Sequence, residues 1–212
     1  MDRNKLKLAF ILLAITVPIS LATLLFQLSV NKHNFGTTSK GTLVQPVLDI
    51  AELQLIDADG QPAYQTFEEL TANVSPEEYD PRPWQLLYLG NADCEASCQE
   101  RLYFLRQLHI RLGGESSRVQ RAYILTGDTP LTQATVDYLQ KEQGDMRVLH
   151  ADSDTLVQAL KRTVGDGEDA ISGHYIYVMD PVGNIMLYFT PANDAEQILD
   201  DVDKLLDQSS LG

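Results

Sequence analysis

The sequence predicts an α/β domain behind a single membrane-spanning helix, on three observations. Residues 8–30 carry no charge. From Trp84 onward, short apolar runs of strand character alternate with segments of helical periodicity, the order that builds a sheet with helices packed on it. Near the end, two short apolar runs flank Asp180-Pro181-Val182-Gly183-Asn184, a hairpin signal with glycine where positive φ is needed, and an amphipathic helix follows.

The run from Leu8 to Val30 is long enough to cross a hydrocarbon core of about 30 Å as a helix. Pro18 lies in its middle and removes one helical hydrogen bond. Ser20-Leu21-Ala22 has the small-x-small pattern of a signal-peptidase site, but Leu24, Leu25, Phe26 and Leu28 carry the apolar run past it, which favours an uncleaved anchor. Arg3, Lys5 and Lys7 precede the span, against Lys32 and Lys40 soon after it. That bias keeps the short N-terminus in the cytoplasm and exports the rest. The expected organisation is residues 1–30 as cytoplasmic N-terminus and anchor in the inner (cytoplasmic) membrane, 31–42 as a polar tether, and 43–212 as one domain in the periplasm.

Charge narrows the partners. With the first 30 residues set aside, 29 acidic residues stand against 13 basic ones, a net charge of −16. Such a surface repels nucleic acid and anionic headgroups and suits cations and basic partners. The chain lacks a phosphate-cradling glycine loop, a Gly-x-Ser-x-Gly elbow and a His-Glu-x-x-His motif, so nucleotide-binding and hydrolytic readings are dropped.

In chain order, Leu43 to Ile50 joins the domain. Leu53 to Ile56 reads as a strand running into an Asp57–Pro62 turn, with a second short strand near Ala63 to Gln65. Phe67 to Leu70 fits a helical turn, and Asn73 to Pro83, with three prolines, reads as an inserted loop. Trp84 to Leu89 reads as a buried strand that passes through Gly90 and Asn91 into a helix. Along that helix Leu102, Leu105, Leu108 and Leu112 recur at helical spacing, and Gly113-Gly114 stops it. Val119 to Thr126 is the next strand. Pro130 to Glu142 is a helix with Leu131, Ala134, Val136 and Leu139 as its apolar members. A short strand at Met146 to His150 precedes a helix over Thr155 to Val164, with Leu156, Ala159 and Leu160 inward, and a Gly-Asp-Gly-Glu-Asp loop. Tyr175 to Met179 and Ile185 to Phe189 form the hairpin, and the closing helix spans about Asp194 to Leu206.

The chemistry starts at Cys94 and Cys98, the only cysteines. If both lie in the first helical turn, their side chains share a face, within reach of each other or of a common metal ion. Amides at a helix N-terminus stabilise a thiolate, whereas Asp93, Glu95 and Glu100 oppose it. The residues alone leave three readings open: soft metal ligands, a redox-active pair, or a structural disulfide of the kind common in exported proteins. His33, His109 and His150 have no partner motif and are expected to be structural.

Strand, cysteine-bearing helix, βα crossovers, hairpin and closing helix is the element order of the thioredoxin fold, a central mixed sheet flanked by helices. Trp84-Gln-Leu-Leu-Tyr-Leu-Gly leading to Cys94-x-x-x-Cys98, the early Asp59-Gly60 turn and the Tyr177-Val-Met-Asp-Pro-Val-Gly-Asn hairpin together resemble the Sco/SenC family of membrane-anchored copper proteins. More narrowly, the chain is similar to small Sco-related proteins that accompany cytochrome c oxidase components in bacteria. It departs from the pattern in two places. Gln99 follows the second cysteine where the family usually has proline. The family's histidine usually sits in an Asp-His-Ser/Thr motif, but here it would be His174, preceded by Ser172-Gly173.

The resemblance implies copper as cofactor, with Cys94, Cys98 and His174 as its ligands, because the start of the strand before the hairpin lies close to the cysteine turn in this fold. It further implies an assembly factor that acts through copper binding or thiol redox at Cys94 and Cys98, the candidate catalytic pair. The client would be a cytochrome c oxidase subunit or another copper or thiol protein. The alternatives are a membrane-tethered thiol–disulfide oxidoreductase and a non-catalytic interaction module with a structural disulfide.

Overall fold

The structure, a computed structural model, describes residues 7, 12–24, 39–72, 82–164 and 167–209. The chain divides into two compact units, Met1–Ser39 and Lys40–Gly212. In the first, residues 12–24 form a helix, α1, with exposed apolar side chains. The hydroxyls of Thr16 and Thr23 donate to Leu12 O and Ile19 O, at 2.9 and 2.8 Å. Among the described residues no helix is long and apolar enough to cross a membrane. The rest of the expected 8–30 span lies outside the described residues, as do most of the 31–42 tether and residues 73–81 of the expected loop.

The second unit is one six-stranded mixed sheet in the order β1-β6-β5-β2-β3-β4. Its strands are β1 (Thr42–Asp49), β2 (Trp84–Gly90), β3 (Val119–Thr126), β4 (Arg147–Ala151), β5 (Ile176–Met179) and β6 (Asn184–Phe189). β2, β3 and β4 run parallel through helical crossovers, while β5 and β6 form the expected hairpin and pair antiparallel to β2 and β1. The hairpin turn closes on Asp180, whose Oδ1 accepts from the N–H groups of Val182, Gly183 and Asn184. Gly183 takes φ 114° there, the positive value for which glycine was expected.

The helices of this unit are α2 (Phe67–Thr71), α3 (Ala96–Arg111), α4 (Gln133–Glu142), α5 (Ser153–Thr163), α6 (Gly167–Ser172) and α7 (Ala195–Gln208). Strand parity sorts the core. Trp84, Leu86 and Tyr88 point to the layer that holds α3, α4 and α7, whereas Leu87 and Leu89 point to the layer under α5. α5 buries Leu156, Ala159, Leu160 and Thr163 as its spacing requires, and each fully buried leucine contributes roughly 1.5–3 kcal/mol. At the other edge, Asp201 of α7 is buried and its Oδ2 accepts from Lys40 and Gly41 N–H, at 2.6 and 2.8 Å, which ties the start of β1 to the last helix.

Four expectations change. Leu53 to Ile56 is no strand: Ile50–Leu53 is a 3₁₀ turn that ends on Gln54 in a left-handed conformation. Ile56 makes only single bridges, to Pro62 and to His150 of β4, because the left-handed Gln54 before it and the turn that begins at Asp57 after it leave no extended run to lengthen them. Ala63 to Gln65 contributes one backbone bond, Ala63 N–H to Leu55 O, and no second strand. The expected loop after α5 winds at Gly167 into the short helix α6, whose Ala170 is buried and accepts a hydrogen bond from the Tyr177 hydroxyl. In α4 it is Thr135, not Ala134, that faces inward beside Leu139.

Candidate functional site: a disulfide beside a histidine

The site lies where β2 leaves the sheet. At Gly90 a β-carbon would stand 2.2 Å from the Tyr123 hydroxyl oxygen, so the strand can end here only without a side chain. The Tyr123 hydroxyl donates to Asn91 O at 2.6 Å and fixes the start of the loop. α3 begins at Ala96 with Glu95 as its N-cap, and Glu95 makes no side-chain capping bond. Cys94 therefore precedes the helix instead of sharing its first turn with Cys98. The loop curls back so that the two Cα atoms are 5.2 Å apart and the sulfurs are joined as a disulfide.

Three contacts hold that loop. The buried Cys94 N–H donates to Thr135 Oγ1 at 2.9 Å, and Gln99 Nε2 donates to Cys94 O at 2.9 Å. One step earlier, Thr132 N–H at the start of α4 donates to Ala92 O at 2.9 Å. Both cysteines are buried. Cys98 nevertheless lines a cavity of about 360 Å³ together with Tyr88, Asn91, Asp93, Glu95, Ser172 and His174. This cavity brings Cys98 and His174 to one surface, while Cys94 is not part of the lining.

His174 is placed by two partners rather than by a strand. It lies two residues before β5 and adopts φ 54°, in the left-handed region. Its Nδ1 shares a hydrogen bond of 2.6 Å with Tyr88 Oη, and the two rings lie nearly parallel with centroids 6.1 Å apart. Burial pushes the Tyr88 hydroxyl well above the usual tyrosine value, against the opposing pull of the Arg101 charge, so it stays protonated. Arg101, one turn beyond Cys98 on α3, donates from Nε to His174 O at 3.0 Å.

Tyr88, Arg101 and Thr135 escaped the sequence reading. Two of them had a signal: Tyr88 has the strand parity of Trp84 and Leu86 and so faces the cysteine layer, and Arg101 stands three residues from Cys98. Thr135 had none. His109, expected to be structural, hydrogen bonds through Nε2 to the carbonyls of Ser116 and Val119, and His150 joins Ile56 through its backbone.

The donor set bears on metal binding. Among the described residues, no three His, Cys, Asp or Glu side chains are gathered to hold an ion. With the sulfurs bonded to each other, the cavity offers a metal the imidazole, whose Nδ1 is already engaged with Tyr88, and the exposed carboxylates of Asp93 and Glu95, which are hard donors. A soft metal would need the disulfide opened, so that thiolates at Cys94 and Cys98 could join the imidazole as donors.

The family model described as "transmembrane-like, thioredoxin-like, C-terminal domain" matches residues 84–209, from the first residue of β2 to just past α7. The chain belongs to this thioredoxin-like family. Solved structures of similar fold include Sco proteins, the family that the motifs resemble. Yeast Sco1 is 16% identical, covering 80% of this chain and 97% of that one with a TM-score of 0.52. Yeast Sco1 with copper bound is 18% identical, covering 82% and 96% with a TM-score of 0.51. BsSco, described as a member of the Sco family of cytochrome c oxidase assembly proteins in which a disulfide switch was identified, is 14% identical, covering 77% and 96% with a TM-score of 0.50. At such identities the likeness is one of fold. No curated protein sequence matches this chain.

Proposed function

We propose that this protein is a membrane-anchored, exported assembly factor of Sco type for cytochrome c oxidase, acting through the Cys94–Cys98 pair as a copper-binding or thiol-redox centre. The observation that carries the reading is the disulfide itself, which joins the loop before α3 to the first turn of that helix, with Cys98 on the same cavity as His174. A purely structural bond gains nothing from opening onto a cavity beside an imidazole. Fold likeness to proteins whose descriptions name copper and cytochrome c oxidase assembly supports the choice of chemistry.

In this reading the pair alternates between two states. Oxidised, it holds no metal. Reduction by a dithiol partner opens the S–S bond, adds two electrons and leaves two thiols, while the partner becomes the disulfide. Cys94 and Cys98 as thiolates, with His174, would then hold copper, which supplies the redox-active or transferable ion. α3 favours the anionic sulfurs through its N-terminal amides. The exposed carboxylates of Asp93 and Glu95 at the rim oppose bare thiolates and favour a bound cation.

The anchor belongs to the proposal. α1 is helical, apolar and exposed, and its two threonines return their hydroxyls to the backbone as a hydrocarbon setting requires. A C-terminal alkaline phosphatase fusion should be active and fractionate with the inner membrane. A soluble or inactive fusion would remove the anchor and the periplasmic location.

The full-length chain in detergent, reduced and challenged with a Cu(I) chelator, separates the readings. A copper protein retains one Cu(I) per chain, and Cys94→Ser or Cys98→Ser abolishes retention. His174→Ala weakens Cu(II) more than Cu(I), since the imidazole is the harder donor. Absence of retained copper overturns that arm. Rapid reduction of a model disulfide without metal would then favour the oxidoreductase, which the cavity-facing Cys98 also supports, and inertness in both assays would leave a structural bond.

A further inference from the structure

Arg101 lies three residues beyond Cys98 on α3, so the two share one helical face. It is only 8% exposed, and among the described residues no carboxylate pairs with it. Its hydrogen bonds go to two backbone carbonyls: Nε to His174 O at 3.0 Å and Nη2 to Thr190 O at 3.1 Å. The guanidinium carbon stands 4.9 Å from the Phe104 ring centroid. For packing alone this is a poor choice, because a buried charge without a counter-ion is harder to accommodate than an apolar side chain of similar volume. A position that keeps a charge under those conditions has something else to hold.

His174 needs holding. Its φ of 54° belongs to a region that residues with a β-carbon adopt only where the surroundings impose it. The preceding residue, Gly173, could take such a conformation freely, yet it is His174 that does. From the side-chain end Tyr88 holds the imidazole. From the backbone end, the Arg101 bond is a charge-assisted one to the His174 carbonyl.

We infer that Arg101 is a positioning residue for His174: by holding the His174 carbonyl it maintains the left-handed turn that lays the imidazole on Tyr88 at the Cys98 cavity. The helix carrying Cys98 thereby sets the place of the histidine, and sulfur and imidazole are registered to each other through one rigid element. The functional meaning of this rests on the reading of His174 as part of the site. Its test does not.

The test uses the full-length, oxidised, metal-free chain in detergent with ¹⁵N-labelled histidine. The His174 signals are assigned by their loss in His174→Gln. Arg101→Gln should move the His174 imidazole resonances to those of a solvent-exposed ring, and Tyr88→Phe should do the same. The His109 resonances should stay, since that ring bonds to Ser116 and Val119 carbonyls, which neither change touches. Arg101→Lys, which keeps the charge and one donor, should restore the His174 signals in part. His174 resonances unmoved in Arg101→Gln, with His109 also unmoved, would overturn the inference.

A double-mutant cycle covers a poorly folding variant. If Arg101 holds a strained turn, Arg101→Gln should raise the unfolding constant by about tenfold in the wild type and by distinctly less beside His174→Gly, where the turn is unstrained. Equal effects in both backgrounds would also overturn it. Copper plays no part in either readout, so failure of the copper proposal leaves this inference standing, and its failure leaves the copper proposal to its own assay.

Discussion

Gly90 shows how much of the site depends on one missing side chain. Added to this position, a β-carbon would meet Tyr123 Oη at 2.2 Å and Cζ at 2.4 Å. The ring cannot swing aside without giving up its hydrogen bond to Asn91 O, the first residue of the cysteine loop. Gly90→Ala should therefore destabilise the domain by about 1–3 kcal/mol, the usual range for an overpacked core. Urea unfolding measures it. An unchanged midpoint would mean that β2 and β3 can part at this point without loss, and that the loop is held by its other contacts.

At the scale of elements, α4 is the clamp of the cysteine loop. Its first turn presents Thr132 and Thr135, which are hydrogen bonded to each other, and both reach across to the loop, Thr132 N–H to Ala92 O and Thr135 Oγ1 from Cys94 N–H. Thr135→Val keeps the shape and removes the acceptor, leaving a buried N–H unpaired at a cost of about 1–3 kcal/mol. The expected signature is local: faster hydrogen exchange at the Cys94 amide than at amides in β3. Protection equal to that of the wild type would show that α4 packs beside the loop without restraining it. Sequence periodicity placed the end of this helix, began it three residues early at Pro130 and turned it by one residue, since Ala134 and Thr135 are both small and only the neighbouring loop distinguishes their sides.

For the whole molecule the governing quantity is charge, −14 over 212 residues. Within it, two carboxylates sit in opposite local surroundings. Burial works to raise Asp145, but the charge and hydrogen bond of the fully buried Arg121 outweigh it and hold the carboxyl below its ordinary value. Its stabilising effect is fully present above the unfolded-state pKa of about 3.9 and is lost as pH falls through the lower folded value. Asp203 is raised, first by burial and then by Asp207, Asp200 and Glu115. Its penalty is present at neutral pH and is relieved as pH falls through the raised folded value, disappearing below the unfolded one. Asp145→Asn should thus lower the urea midpoint at neutral pH. Asp203→Asn should raise it, with the gain shrinking on acidification and on adding salt. Midpoints that move the same way for both would refute the assignment.

What the sequence by itself determined is what consecutive residues carry. The periods of β2, β3, α3, α5 and α7, the Asp180–Asn184 turn with its glycine, and the pairing distance of two cysteines four apart are all properties of short windows. The order of those windows points to a thioredoxin-like layer architecture. Tertiary structure decided the rest. Leu53 to Ile56 is taken up by a 3₁₀ turn that ends on Gln54, leaving Ile56 a single bridge to His150, and the seating of Cys94 before α3 depends on Thr135, 41 residues away. His174 takes its place from Tyr88 and Arg101, separated from it by 86 and 73 residues. A left-handed histidine, a buried arginine and a threonine turned inward are each unfavourable or neutral in isolation. They become stable only when the fold brings their partners together, because the hydrogen bonds that compensate them exist only between distant segments.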